Sequence, residues 1–179
     1  AIAIIIDDLG YLRPEGIDAL SLPGAVTYAI LPHTPFARRF AGTAHSSGKE
    51  VILHQPMEST QGLALGPGGI TSEMGKTQVR QILLENLSSI PHLSGISNHM
   101  GSLLSTREQP IGWMMEVLVS QPPPFFFVDS RTIPGSVIAG VARRNGIPTI
   151  TRDVFLDNSH DPNEIRSQFG ELISRAKSR

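Results

Sequence analysis

The chain contains no cysteine. Thiol catalysis, disulfides and Cys-ligated zinc are therefore excluded, and any metal or acid–base chemistry must fall to carboxylates and imidazoles. Position selects among them. Asp7 and Asp8 are adjacent and directly follow an apolar run. His54 and His99 each close another strand-like run. Two imidazoles plus one carboxylate make a catalytic zinc shell with one position left open for water. An ion held there acidifies that water and polarises a carbonyl. Successive residues of a strand point to opposite sides, but where the strand ends the chain turns, and both carboxylates can approach one cavity. One could then bind the metal while the other acts as general base. Each feature also has a plainer reading. An Asp before Leu-Gly can cap a turn, and two histidines can each be satisfied locally.

Further polar groups fall at comparable places. Glu58 lies four residues after His54. A helical HQPME would put the two on one face, whereas Pro56 favours a loop, so Glu58 reads as an additional ligand, a hydrogen-bond acceptor behind a ligand, or neither. Asp129 closes a run of aromatic residues, and Arg152-Asp153 follow the last strand-like run. Asp129 and Asp153 could orient a base, bond to a ligand histidine or bind substrate, or they could cap helices or pair with Arg131 and Arg152. Asn98 could contact substrate or stabilise the turn before Gly101. His33, His45, His92 and His160 fall in loops or on polar faces and are expected to be solvated. Trp113 and Met114 lie on a helix and are expected in the core.

The elements that must position these groups are legible as an alternation. Short β-branched or aromatic apolar runs at 1–6, 26–31, 51–53, 94–97, 125–129 and 148–151 suit strands covered on both faces. Between them, helices are expected at 14–22, 35–47, 72–90, 107–120, 136–145 and 161–177. Ser72 is placed to cap the third, Gly146 to close the fifth, and Asp161-Pro162 to start the last. Strand–helix alternation implies parallel strands with crossover helices, in a barrel or a doubly wound sheet. In such folds the functional groups project from the carboxyl ends of the strands. The candidates sit at those ends. The Gly-rich segment 59–71 and the proline-rich segment 121–124 read as loops.

Length and composition bound the rest. A chain of 179 residues, 40% hydrophobic and 17% charged, is expected to be one globular domain over 1–179. With Lys plus Arg at 15 and Asp plus Glu at 16, the net charge is -1, which favours neither nucleic acid nor a membrane surface. No stretch approaches the roughly 18 apolar residues of a membrane span, and no signal peptide is visible. The apolar opening reads as a core strand, so an upstream segment is expected to have been cut away.

Five blocks carry a resemblance: IIIDDLG (4–10), VILHQPME (51–58), GISNHMGS (95–102), FFVDSRT (126–132) and RDVFLDN (152–158). Together they resemble the divergent polysaccharide deacetylases, relatives of the NodB-type carbohydrate esterases. The resemblance implies a distorted (β/α) barrel. It also implies removal of N- or O-acetyl groups from a polysaccharide with a divalent metal, in the periplasm or outside the cell. Asp7 matches the general base of the esterases, Asp8 their metal-binding Asp, and His54 the first histidine of their metal pair. The second histidine of that pair is replaced by the stretch Gln55-Pro56-Met57-Glu58, and His99 is inferred in its stead. Relatives usually continue into a further strand ending in a Gly-His-Pro type motif, which supplies the general acid. This chain stops at Arg179, so the barrel is expected to be incomplete at its C-terminus or to close without that acid.

The resulting expectation is a metal-dependent deacetylase of an acetylated glycan. Asp8, His54 and His99 hold zinc, Asp7 and Asp129 act in catalysis, and Glu58, Asn98, Arg152 and Asp153 support or bind substrate. The alternatives are a non-catalytic glycan-binding or regulatory protein on the same fold, and a metal-dependent hydrolase of another substrate.

Overall fold

The computed structural model describes residues 1–122 and 125–178. Residues 123 and 124 of the expected proline-rich loop, and Arg179, lie outside them.

Six strands alternate with six helices: β1 (Ile4–Leu9), α1 (Arg13–Leu20), β2 (Val26–Ile30), α2 (Ala37–Ser46), β3 (Glu50–Met57), α3 (Lys76–Ser89), β4 (Leu93–Met100), α4 (Glu108–Val119), β5 (Phe126–Asp129), α5 (Ile138–Arg144), β6 (Thr149–Thr151) and α6 (Pro162–Ser178). All the strand pairs are parallel and the sheet order is the chain order. Right-handed crossovers in one direction place the five connecting helices α1–α5 on the same side, so the sheet curls around its other face. The result is a half-barrel, the distorted α/β barrel expected of the sequence.

Strand parity sorts the side chains. Tyr28, Ile30, Val51, Leu53, Ile96 and Phe127 face outward into the main core beneath the helices. The inner face carries a much smaller apolar cluster of Ala29, Ile52 and Val128, with Ile5 and Phe126 packed against it. Gly95 belongs to this face. A Cβ there would stand 2.6 Å from the Phe126 ring, so the close approach of β4 and β5 requires glycine. The inward positions that continue toward the carboxyl ends are Asp7, His54, Ser97 and His99.

Three elements run differently from expectation. β3 and β4 are longer than their apolar cores, so His54, Asn98 and His99 lie within strands. Pro56 does not break β3, because Pro56 O accepts from Ile70 N at 3.0 Å on the side where β2 has already ended. Its missing N–H would face that same side, away from β4, and costs no ladder bond. Ser72 does not cap α3, which begins four residues later, where Gln78 Oε1 accepts from Gly75 N at 3.0 Å. Ser72 N and Oγ instead donate to Glu58 Oε2 at 2.7 and 2.6 Å, closing the loop 59–71. At the other end, α6 starts as read, with Asp161 Oδ1 accepting from Asn163 N at 2.9 Å. Among the described residues no helix is long and apolar enough to cross a membrane.

Candidate metal centre

β1 ends in an irregularity that brings two neighbouring carboxylates to one place. Ile6 pairs with Tyr28 but Leu9 with Ile30, so β1 spends one more residue than β2 over this interval. Asp8 takes φ +60°, a left-handed conformation that Asp tolerates better than most residues. Asp7 keeps its inward parity while the bulge turns Asp8 toward the same rim.

There Asp8 Oδ1 meets two imidazoles. His99 Nδ1 lies 2.7 Å away and His54 Nε2 3.2 Å. Among the described residues these three form the one group of metal-ligating type, with donor atoms all within 4.8 Å of one another. The rings meet edge to face at 5.1 Å between centroids. His54 is 96% covered, whereas Asp8 keeps 62% of its side chain exposed, so the cluster is walled by β3 and β4 and open on the side of β1. Two nitrogens and one carboxylate oxygen facing one point, with an open approach, fit a divalent ion with room for water or substrate.

The surroundings orient these groups. His54 Nδ1 is 2.7 Å from Ser97 Oγ, its register partner on β4, and 3.9 Å from Asp7 Oδ1. Desolvation by burial raises the Asp7 carboxyl above its ordinary range. His54 pulls it back down, and Asp8 and then Asp157 push it further up. For Asp8, burial acts in the raising direction too, but hydrogen bonds and charge from His54 and His99 outweigh it and hold the carboxyl well below its ordinary value. Two adjacent acids are thus driven in opposite directions.

The other expected residues have different duties. Asn98 and Asp129 have outward parity. Asn98 Nδ2 donates to Met100 O at 2.8 Å and Oδ1 accepts from Ser130 N at 2.8 Å, tying β4 to the end of β5. Asp129 accepts from Arg131 N and from Ser136 Oγ, each at 2.8 Å, so both carboxylate oxygens hold the loop after β5. Glu58 is engaged by Ser72 and stands outside the three-residue group. Asp153 is exposed, and its carbonyl accepts from Arg175 Nη1 on α6. Arg152 does reach the rim. Its Nε donates to Ser130 O at 2.7 Å and its guanidinium lies 4.6 Å from the Phe155 ring centre. Burial lowers its pKa, while the charges of Asp7 and Asp129 oppose that shift.

Ser97 escaped the sequence reading, although strand parity marks it two residues before His99 on the same face. His33 is exposed but not merely solvated: its Nε2 is 2.8 Å from Oδ1 of the buried Asn86, whose Nδ2 donates to Gln55 Oε1 and Gly68 O. That network pins the loop 59–71 against β3 and α3. The pinned loop walls a pocket of about 140 Å³ that includes His99, opposite Tyr11.

Fold and site together define a class: a parallel, distorted α/β barrel with an Asp-His-His donor set at the carboxyl ends of its strands. The chain belongs to the divergent polysaccharide deacetylase family, whose model matches residues 4–179. It is 34% identical over 176 residues to the uncharacterized protein YibQ of Escherichia coli K12, covering 98% of this chain and 54% of that protein. An uncharacterized protein of Haemophilus influenzae is 32% identical over 176 residues, covering 98% and 62%. The chain thus spans little more than half the length of these curated relatives. The crystal structure of the uncharacterized protein ATU2773 from Agrobacterium tumefaciens C58 shares the fold, with a TM-score of 0.92 at 21% identity over 99% of this chain and 72% of that one.

Proposed function

We propose that the protein is a zinc-dependent hydrolase that removes N- or O-linked acetyl groups from a cell-envelope or extracellular polysaccharide, in the periplasm or outside the cell. The convergence of Asp8, His54 and His99 beside Asp7 carries the reading, and membership of the family supplies the substrate class. Asp8 Oδ1, His54 Nε2 and His99 Nδ1 would hold the ion, with the nitrogen ligands favouring zinc over magnesium or calcium. Once bound, a divalent ion supplies Lewis acidity toward the acyl carbonyl and acidifies water.

The protein's own groups do the rest. With its Nδ1 on Ser97, His54 presents Nε2 in a fixed direction. Asp7 takes a proton from the attacking water. Once protonated, the Asp7 carboxyl is a donor to the departing oxygen or nitrogen. Arg152 balances the negative charge gathered at this rim by Asp7 and Asp129.

The test is metal content after purification, followed by acetate release from acetylated chito-oligosaccharides, peptidoglycan and xylan. We expect one zinc per chain and release from at least one substrate. A chain that takes up no zinc with His54 and His99 intact refutes the proposal. One observation favours a second reading, a non-catalytic glycan-binding protein. Both clustered imidazoles are committed to the metal, and His33, His45, His92 and His160 are exposed and outside the group. Among the described residues no further imidazole stands at this group to protonate a leaving group. Acetate release lost in Asp7→Asn with zinc retained decides against that reading; glycan binding with no release from any substrate decides for it.

A further inference from the structure

The pocket next to His99 is larger than an acetyl group requires, and its lining side chains are mostly apolar. Its lining side chains include Leu31, Pro32, Pro56, Ala64, Leu65 and Pro67, with Tyr11 across from them and His99 at the metal end. Apart from Tyr11 and His99, every side chain that lines it is apolar. The backbone, Tyr11 and His99 supply its polar surface, and at about 140 Å³ this open cleft has room for more than a methyl group. The loops that form it also expose large apolar residues to solvent: Tyr11 at 47%, Leu12 at 62% and Leu63 at 52%. Tyr11 and the loop 59–71 approach closely, since a Cβ on Gly66 would lie 3.1 Å from the tyrosine oxygen. Polar sugar edges are poor partners for such side chains, and exposed apolar residues on the loops that form a cleft are a mark of binding surfaces.

We infer that this pocket receives an acyl chain longer than acetyl, of about four to six carbons, and that the substrate is a sugar bearing such a chain. The inference rests on the hydrolase reading above and narrows its substrate class. In the reaction, water adds to the acyl carbonyl carbon and the bond from that carbon to the sugar oxygen or nitrogen breaks. The leaving atom takes a proton, and the chain departs as its carboxylate. The carbonyl sits beside His99 and the alkyl end lies between Leu65 and Tyr11.

Binding tests the pocket without turnover. Zinc-stripped protein is titrated calorimetrically with N-acetyl-, N-butanoyl- and N-hexanoyl-glucosamine. Each methylene buried from water is worth about fourfold in affinity, so butanoyl is expected to bind on the order of tenfold more tightly than acetyl. Ala64→Trp, which fills the cavity from an exposed loop position, is expected to abolish the increment. A flat series, no binding of the hexanoyl compound, or an increment that survives Ala64→Trp overturns the inference. The wild-type series decides by itself if that variant does not fold. Release of each acid by the zinc-loaded protein separates the two readings. Cleavage of acetyl with a flat binding series leaves the hydrolase standing and removes the acyl pocket. Chain-length-dependent binding with no acid released from any compound keeps the pocket and removes the hydrolase.

Discussion

Ser97→Ala isolates the hydroxyl behind His54 and is the sharpest probe of the centre. His54 is 3% exposed and Ser97 1%, so water does not replace a lost partner. For Nε2 to offer a lone pair to a metal, Nδ1 must carry the ring proton and donate it to Ser97 Oγ, 2.7 Å away. Removing the acceptor has two separable costs. The fold loses one buried hydrogen bond and leaves a donor unpaired, about 1–3 kcal/mol. In a protein of this size each kcal/mol is worth about 2–4 °C in Tm. The ion loses a ligand held in one tautomer and orientation, about 10–100-fold in affinity. Zinc affinity is measured by competition with a chromogenic chelator at fixed pH, and Tm on the metal-free protein. Ser97→Thr, which retains the hydroxyl, is expected to recover most of the zinc affinity even if its methyl lowers Tm. Zinc affinity within twofold of wild type in Ser97→Ala would show that the hydroxyl does not orient the ligand. Equal loss in the alanine and threonine variants would assign the effect to packing.

Four further outcomes follow from the same geometry. His99→Ala removes one of three donors and is expected to reduce zinc occupancy to background by elemental analysis while the circular dichroism spectrum is retained. Asp7→Asn is expected to keep the metal and lower kcat about 10²–10⁴-fold, the usual worth of a positioned base. In the metal-free protein burial raises the Asp7 pKa, so its carboxyl, followed by NMR, should titrate above the ordinary Asp value of about 3.9; Asp157→Asn removes a neighbouring negative charge and should move that midpoint downward, and loading with zinc should lower it too. Glu58 has a lowered pKa because Ser72 donates to it twice, so its contribution is present above its unfolded pKa and lost as the pH falls through the folded one. In Glu58→Gln, Tm should therefore lie below wild type at neutral pH and converge with it in acid.

Fold and site were legible to different depths for physical reasons. The six apolar runs showed the strands because parallel strands covered on both faces cannot hide their composition. Alternation alone left a barrel and a doubly wound sheet open; the strand order, which equals the chain order, is what puts the crossover helices on one side. Strand lengths were harder to read, because β3 and β4 continue beyond their apolar cores into His54-Gln55-Pro56 and Ser97-Asn98-His99, where the inner face turns polar. Pro56 suggested a break, since nothing in the sequence says which edge of β3 is unpaired at that point. Glu58 and Ser72 are 14 residues apart, and only the folded loop brings the carboxylate to the hydroxyl and the N–H. Asn98 and Asp129 were read by proximity to strand ends, whereas parity sends both outward, where they knit the strand ends and the following loops.

The adjacent pair Asp7-Asp8 shows what a sequence motif leaves undetermined. In an unbroken strand one of the two would face the bare side of the sheet and the other the helices, and a single carboxylate would serve the cluster. The bulge after Ile6 and the left-handed φ of Asp8 remove that restriction, and aspartate is among the few non-glycine residues that accept the conformation readily. Once both acids reach the rim, their environments set them apart. Asp8 receives two imidazoles that outweigh its burial and hold its carboxyl low, while Asp7 is raised first by burial and then by two other carboxylates, with His54 opposing them only in part. The opposite shifts of these identical neighbours therefore come from burial, which the imidazoles outweigh at Asp8 but not at Asp7, and from the distances that one inserted residue creates: 2.7 and 3.2 Å to the imidazoles for one acid, 3.9 Å for the other.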